Sequence, residues 1–211
     1  MFYILEKSVE IFYSKLWPNQ NKMKHIAIFA TGGGSNAQRI IDHFENHDAV
    51  KVSLIISNKK AAGVLDRATA KNIPTLILNR EEFYQTENIL QKLHTFHIDF
   101  IVLAGFLWLM PTYLVKSYAN KVVNIHPALL PKYGGKGMYG MNVHKAVHTA
   151  QEEESGMTIH YVNEHYDEGT IIFQAKCFLQ PSDSPEDIAK KVLQLEHQHY
   201  PKVIEKVILE I

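Results

Sequence analysis

Short apolar runs alternate with stretches of helical periodicity along most of this chain, and the alternation predicts a layered α/β architecture. His25–Ala30 reads as a buried strand, ended by a glycine turn and followed by a helix from about Asn36 to Glu45. Val50–Ser57 predicts a second strand and Gly63–Asn72 a second helix. Pro74–Leu78 is a short third strand, followed by one helix over Glu81–Phe96. Asp99–Ala104 is apolar enough to belong at the centre of a sheet covered on both faces. Pro111 opens a short helix, where its missing N–H leaves no bond unmade. Lys121–Ile125 completes a parallel set, and right-handed crossovers then put helices on both faces.

Beyond Pro131 the pattern changes. Lys132–Gly140 is a glycine-rich loop, and a helix follows from about Asn142 to Ala150. Met157–Val162 and Thr170–Phe178 read as strands joined by Asn163–Gly169, a hairpin that extends the parallel sheet in the antiparallel sense. Ser184 suits the N-cap of the last helix, with Pro185 at its first position and Asp187 closing a capping box. No repeat or linker divides this region, so residues 23–211 are expected to form one domain. Residues 1–22 stand apart as an extension. Phe2, Ile4, Leu5, Val9, Phe12, Leu16 and Trp17 recur at roughly helical spacing, while Glu6, Lys7 and Glu10 interrupt any secretory core. The extension reads as an amphipathic helix packed on the domain or a second subunit, unless Met23 is the true start.

Composition narrows the field. The 211 residues suit a single core. Lysine plus arginine and aspartate plus glutamate each total 22, so no global field draws in nucleic acid or membrane. An anionic ligand must therefore be held by local geometry. The one cysteine, Cys177, excludes an internal disulfide and a cysteine-rich zinc site, and its apolar neighbours suggest a small buried hydrophobe. No apolar run has the length of a membrane span, and a cytoplasmic location is expected.

Two segments carry candidate chemistry. Asn124 and His126 end the apolar run Val122-Val123, and side chains two apart on a strand project to the same side. A carboxamide donor and a titratable imidazole facing one spot suit chemistry on a carbonyl; water-facing polar groups at a strand end are the plain alternative. Asp167, if brought beside His126, would orient the ring and raise its pKa. Gly33, Gly34, Ser35 and Asn36 lie between the first strand and its helix, where free N–H groups favour an anion such as phosphate. A tight turn with no ligand remains open there. The loose dinucleotide pattern over Gly32–Ala37 lacks an acid at the end of the second strand, which disfavours NAD. Lys59 and Lys60 leave room for NADP. His144 with His148, and His197 with His199, lack the partners of a metal site, and no metal is expected.

These blocks resemble the phosphoribosylglycinamide formyltransferase family, within the folate-dependent formyltransferases. The resemblance runs from Met23 to the C-terminus. It rests on Gly33-Gly34-Ser35-Asn36, Val52–Lys59, Val102–Phe106, Asn124-Ile125-His126-Pro127 through Pro131, Ile159–Val162, Asp167-Glu168-Gly169, and Glu196-His197 before Tyr200-Pro201. It implies a Rossmann-like, mostly parallel twisted sheet with helices on both faces and a C-terminal antiparallel extension. It also implies direct transfer of a formyl group from 10-formyltetrahydrofolate to the amine of 5-phosphoribosylglycinamide, with no metal and no acyl-enzyme. Asn124, His126 and Asp167 would be catalytic. Gly33, Gly34, Ser35 and Asn36 would seat the substrate phosphate, and Glu196 the glycinamide end. Leu107, Trp108, Leu109, Met110, Asn124, Asn163, Glu164, His165 and Tyr166 would hold the folate. Trp108 stands where many relatives carry arginine, and the Gly134–Met141 loop is longer than in the best-known members. Formyltetrahydrofolate deformylase and a non-catalytic phosphometabolite-binding module are the alternatives. Oligomeric state is not implied.

Overall fold

Seven strands form one sheet in the computed structural model, which describes residues 23–210. They are β1 (Lys24–Phe29), β2 (Val50–Ser57), β3 (Thr75–Ile77), β4 (Ile98–Leu103), β5 (Val122–His126), β6 (Glu154–Tyr161) and β7 (Ile171–Phe178). Their order across the sheet is β3-β2-β1-β4-β5-β6-β7. The first five are parallel, and β6 and β7 extend the sheet antiparallel. The strand expected at the centre, β4, is the middle one of seven.

Alternation along the strands builds a core on each face. On β1, Ile26 and Ile28 pack with α1 (Ser35–Phe44), α2 (Gly63–Ala70), α6 (Met141–Thr149) and α7 (Pro185–Leu209). Ala27 and Phe29 face the other way, against α3 (Arg80–Gln85), α4 (Asn88–Thr95) and α5 (Thr112–Ser117). The long α7 begins as its sequence requires: Ser184 accepts from Asp187 N, Asp187 returns the bond to Ser184 N, and Pro185 follows the cap. Further along, Tyr200 is wholly buried and its hydroxyl donates to Leu103 O at 2.8 Å, which ties α7 to the end of β4.

Two expectations are corrected. The helix expected over residues 81–96 is two, because Thr86 takes both ends of the break. Its hydroxyl donates to Glu82 O at 2.9 Å and accepts from Asn88 N at 3.3 Å, competing with the helical ladder. Strand β6 starts at Glu154, three residues before the expected Met157, since Ser155 and Gly156 already pair with Cys177 and Lys176 of β7. Residues 1–22, including the proposed amphipathic helix, lie outside the described residues. Among the described residues, no helix is long and apolar enough to cross a membrane.

Candidate active site

The chain changes direction across the sheet between β1 and β4, with β2 and β3 on one side and β4 to β7 on the other. Loops leaving two such strands part, and a crevice opens beyond their carboxyl ends. Here it is a cleft of about 660 Å³ walled by the loop after β4, the end of β5, the glycine-rich loop, α6 and α7. Thr31 fastens its floor: its N–H donates to Gly105 O, and its hydroxyl accepts from Leu107 N, each at 3.0 Å.

Asn124 and His126 both reach this cleft, as their two-residue spacing predicts. Strand β6 sets the carboxamide. Its His160 lies directly opposite Asn124, with Nδ1 2.8 Å from the Tyr161 carbonyl. A carbonyl only accepts, so Nδ1 carries the hydrogen and Nε2 is bare. Asn124 Nδ2, 3.2 Å away, donates one hydrogen to that Nε2 and keeps the other for the cleft. The same reasoning fixes the tautomer of His126. Its Nε2 donates to Tyr133 O at 2.7 Å, so Nδ1, 3.4 Å from Asp167 Oδ2, is the atom where a proton is gained or lost.

The electrostatics differ from expectation at one point. His126 is 3% exposed, and burial pushes its pKa down more than the charge of Asp167 and the Tyr133 carbonyl push it up. Asp167 does exert the expected pull, but desolvation is larger and the ring stays neutral at neutral pH. Asp167 itself lies between two imidazoles, with Oδ1 3.6 Å from His160 Nε2. Burial alone would raise its pKa. His160, the charge that His126 carries once protonated, and a 2.9 Å bond from Gly135 N together bring it below the usual carboxylate value.

Glu196 meets the cleft from α7. It is 7% exposed, and burial raises its pKa against the one donor that reaches it among the described residues, Asn36 Nδ2 at 2.6 Å. The expected phosphate seat lies beside Asn36 at the start of α1. Gly34 caps that helix at φ 72 with no side-chain bond to the first turn, whose N–H groups remain open. No acidic residue occupies that turn, and Arg67 Nε donates to Gly33 O at 2.6 Å, bringing a guanidinium to its rim. Of these four residues only Asn36 lines the main cleft; Gly33, Gly34 and Ser35 lie outside its wall.

Leu107, Trp108, Leu109 and Met110 form the opposite wall, with His165 and Tyr166 at its edge. Trp108 is held in an aromatic group with Phe83, Tyr84 and Phe106, at centroid distances of 5.7, 6.0 and 6.1 Å. The Arg80 guanidinium stacks 5.2 Å from the Trp108 ring, so a cation stands beside the tryptophan. Asn163 and Glu164 do not reach the wall. Asn163 Oδ1 accepts from His165 N at 3.0 Å, and Glu164 pairs with Lys116 of α5 at 3.7 Å.

Two residues of the site escaped the sequence reading as site residues. His160 is one. Thr158 and His160 are polar positions two apart in the otherwise apolar run Met157–Val162, which mirrors Asn124 and His126 and was the available signal. His144 is the other: it was weighed only as a metal partner of His148. It is buried against the cleft with an unpartnered Nδ1, and burial first, then nearby His126, lower its pKa. His148 is exposed on α6. Among the described residues, no three histidine, cysteine or acidic side chains form a group suited to a metal ion.

Comparison with known proteins agrees with this geometry. The family model described as formyl transferase matches residues 24–204. The chain is 39% identical to the chloroplastic phosphoribosylglycinamide formyltransferase of Arabidopsis thaliana over 195 residues, covering 88% of this chain and 66% of that protein. It thus spans just under two thirds of that plant relative. It is 37% identical to the phosphoribosylglycinamide formyltransferase of Haemophilus influenzae, covering 86% of each. The crystal structure of the enzyme of that name from Bacillus halodurans superposes with a TM-score of 0.79 at 34% identity, covering 88% of this chain and 95% of that one. The chain belongs to the formyl transferase family, on its phosphoribosylglycinamide formyltransferase branch.

Proposed function

We propose that this chain transfers the formyl group of 10-formyltetrahydrofolate to the amine of 5-phosphoribosylglycinamide, a step of purine biosynthesis. The observation that carries the reading is the meeting of Asn124, His126 and Asp167 at one wall of a cleft whose other walls are apolar and acidic. In the reaction the amine nitrogen bonds to the formyl carbon, the bond from that carbon to the folate N10 breaks, and an amine proton ends on N10. Charge develops on the formyl oxygen. The free N–H of Asn124 is the donor suited to it, in a cleft that shields it from water. His126, protonated at Nδ1 only transiently, stabilises that charge and relays the proton; Asp167 holds the ring and steadies its cationic form.

Substrate binding divides along the same lines. A buried carboxylate that accepts from Asn36, Glu196 suits the N–H groups of the glycinamide end. The open first turn of α1, with Gly33, Gly34, Ser35 and Asn36, suits the phosphate. A flat pterin suits the apolar faces and backbone amides of Leu107–Met110, with His165 and Tyr166 closing on it. The test is tetrahydrofolate release from 10-formyltetrahydrofolate with and without 5-phosphoribosylglycinamide. Release that requires the amine, with formylated product, is expected. Release at the same rate without it would mean a hydrolase, and no release a binding module.

A further inference from the structure

The tautomer of His126 depends on a carbonyl whose direction is itself unusual. Tyr133 adopts φ 57, in the left-handed region that a bulky residue with a Cβ rarely enters. That conformation needs something to hold it. The holding groups lie at the other end of the same residue. The Tyr133 hydroxyl donates to Glu152 Oε1 at 2.8 Å, and Lys132 Nζ binds the same oxygen at 2.9 Å. Glu152 follows the turn after α6 and leads directly into β6, the strand that carries Thr158 and His160. The ring of Tyr133 also packs on the core beneath the sheet. The burial that surrounds the phenol, and then its bond to Glu152, raise its pKa, so the hydroxyl stays a donor.

We propose that Tyr133, anchored through its phenol by Glu152, is a positioning residue that aims its own carbonyl at His126 and thereby keeps Nδ1 as the proton-exchanging atom. The inference rests on the formyl-transfer reading for its catalytic consequence. Its structural half, the tautomer, stands apart from that reading. Without the anchor, the Tyr133 peptide is free to leave the left-handed conformation, and its carbonyl turns away. Nε2 then loses its acceptor, and the hydrogen moves in part to Nδ1 beside Asp167, where it blocks proton uptake. Gly135, two residues on, donates to Asp167 Oδ2, so the same short loop holds both members of the pair.

Tyr133→Phe keeps the ring and removes only the anchoring hydroxyl. It is expected to lower kcat about 10- to 100-fold, as loss of alignment does, with KM for both substrates nearly unchanged. Glu152→Ala is expected to match it, and the double variant to be no worse than the poorer single one, since the two act as a unit. Glu152→Gln retains an acceptor for the phenol and should restore kcat. The direct readout is the ¹⁵N resonances of the His126 ring at pH 8, where the ring is neutral. The hydrogen is expected on Nε2 in the parent protein and spread over both nitrogens in Tyr133→Phe. An unchanged tautomer in folded Tyr133→Phe overturns the proposal, whatever happens to kcat. So does a Glu152→Gln variant as impaired as Glu152→Ala. A parent protein that transfers no formyl group would overturn the functional reading alone, because the ring resonances report without substrate.

Discussion

Asp167 and burial pull the His126 proton in opposite directions, and a single substitution separates them. Replacing Asp167 by asparagine removes the larger of the two influences that favour the imidazolium and leaves burial opposed only by the Tyr133 carbonyl, so the His126 midpoint should move further below the ordinary histidine value of 6.5. Titration of the ring protons by NMR checks the sign; an upward shift would contradict it. Asn124→Ala should lower kcat roughly 100-fold or more, the usual cost of one lost oxyanion donor, in a protein that still folds. At the start of α1 two neighbouring glycines give opposite outcomes. A Cβ on Gly33 meets nothing within 4 Å, so Gly33→Ala should fold normally and report on the phosphate seat through KM. A Cβ on Gly34 would lie 2.7 Å from the Val64 side chain at a positive φ, so Gly34→Val should lower Tm first. Packing against Val64 of α2 fails there before any ligand is obstructed. Asn124 and His126 were legible because a strand's period is local. His160 was not, because its role comes from lying opposite Asn124 across an antiparallel pairing that only the fold supplies.

Elements whose ends are written in their own side chains were read correctly, and those ended by competition were not. Ser184, Pro185 and Asp187 specify the start of α7 without help from the rest of the chain. Ser184→Ala should therefore cost about 1 kcal/mol of stability, measurable by denaturant titration. Turnover should hold, since Glu196 lies about three turns along α7. The segment over residues 81–96 lacked any such stop signal of glycine or proline. Its break is made by the Thr86 hydroxyl, and by Asn88 Nδ2 reaching back to Glu82 Oε1 at 3.0 Å. The apolar positions did carry a trace of it. Phe83 and Ile89 both face the core, yet six residues is not a helical repeat. Strand β4 was recognised as central because burial on both faces demands an apolar run such as Phe100–Leu103. The early start of β6 was hidden by Ser155 and Gly156, which read as loop residues until β7 pairs with them.

Across the whole molecule the site is assembled from groups that sequence distance keeps apart, and stability is spent on one of them. Glu196 meets Asn36 from 160 positions away, a contact that no local pattern encodes. The encounter leaves a carboxylate almost wholly buried with one donor among the described residues, a costly state unless a ligand supplies more. Burial raises its pKa above the ordinary 4.5, so the folded state binds the proton more tightly than the unfolded chain. By linkage its contribution to stability is fully present below 4.5 and is lost as pH rises through the raised value. Glu196→Gln keeps an acceptor for Asn36 and removes the charge. The variant should therefore melt above the parent at pH 7.5, and the gap should close as pH falls and the parent carboxyl takes its proton. Buried His126 and His144, and half-buried His197, act in the other sense. Their pKa values are lowered, so both proteins should lose stability as pH drops below about 6.5, and only the difference isolates Glu196. The same substitution should weaken binding of 5-phosphoribosylglycinamide by about 10- to 100-fold, since a hydrogen bond to a charged group contributes about 1.5–3 kcal/mol. Calorimetric scans of both proteins from pH 5 to 8, read beside KM for that substrate, test whether this carboxylate is kept for binding against the interest of the fold. Equal melting temperatures at pH 7.5 would mean that Asn36 already compensates the charge and that no such trade exists.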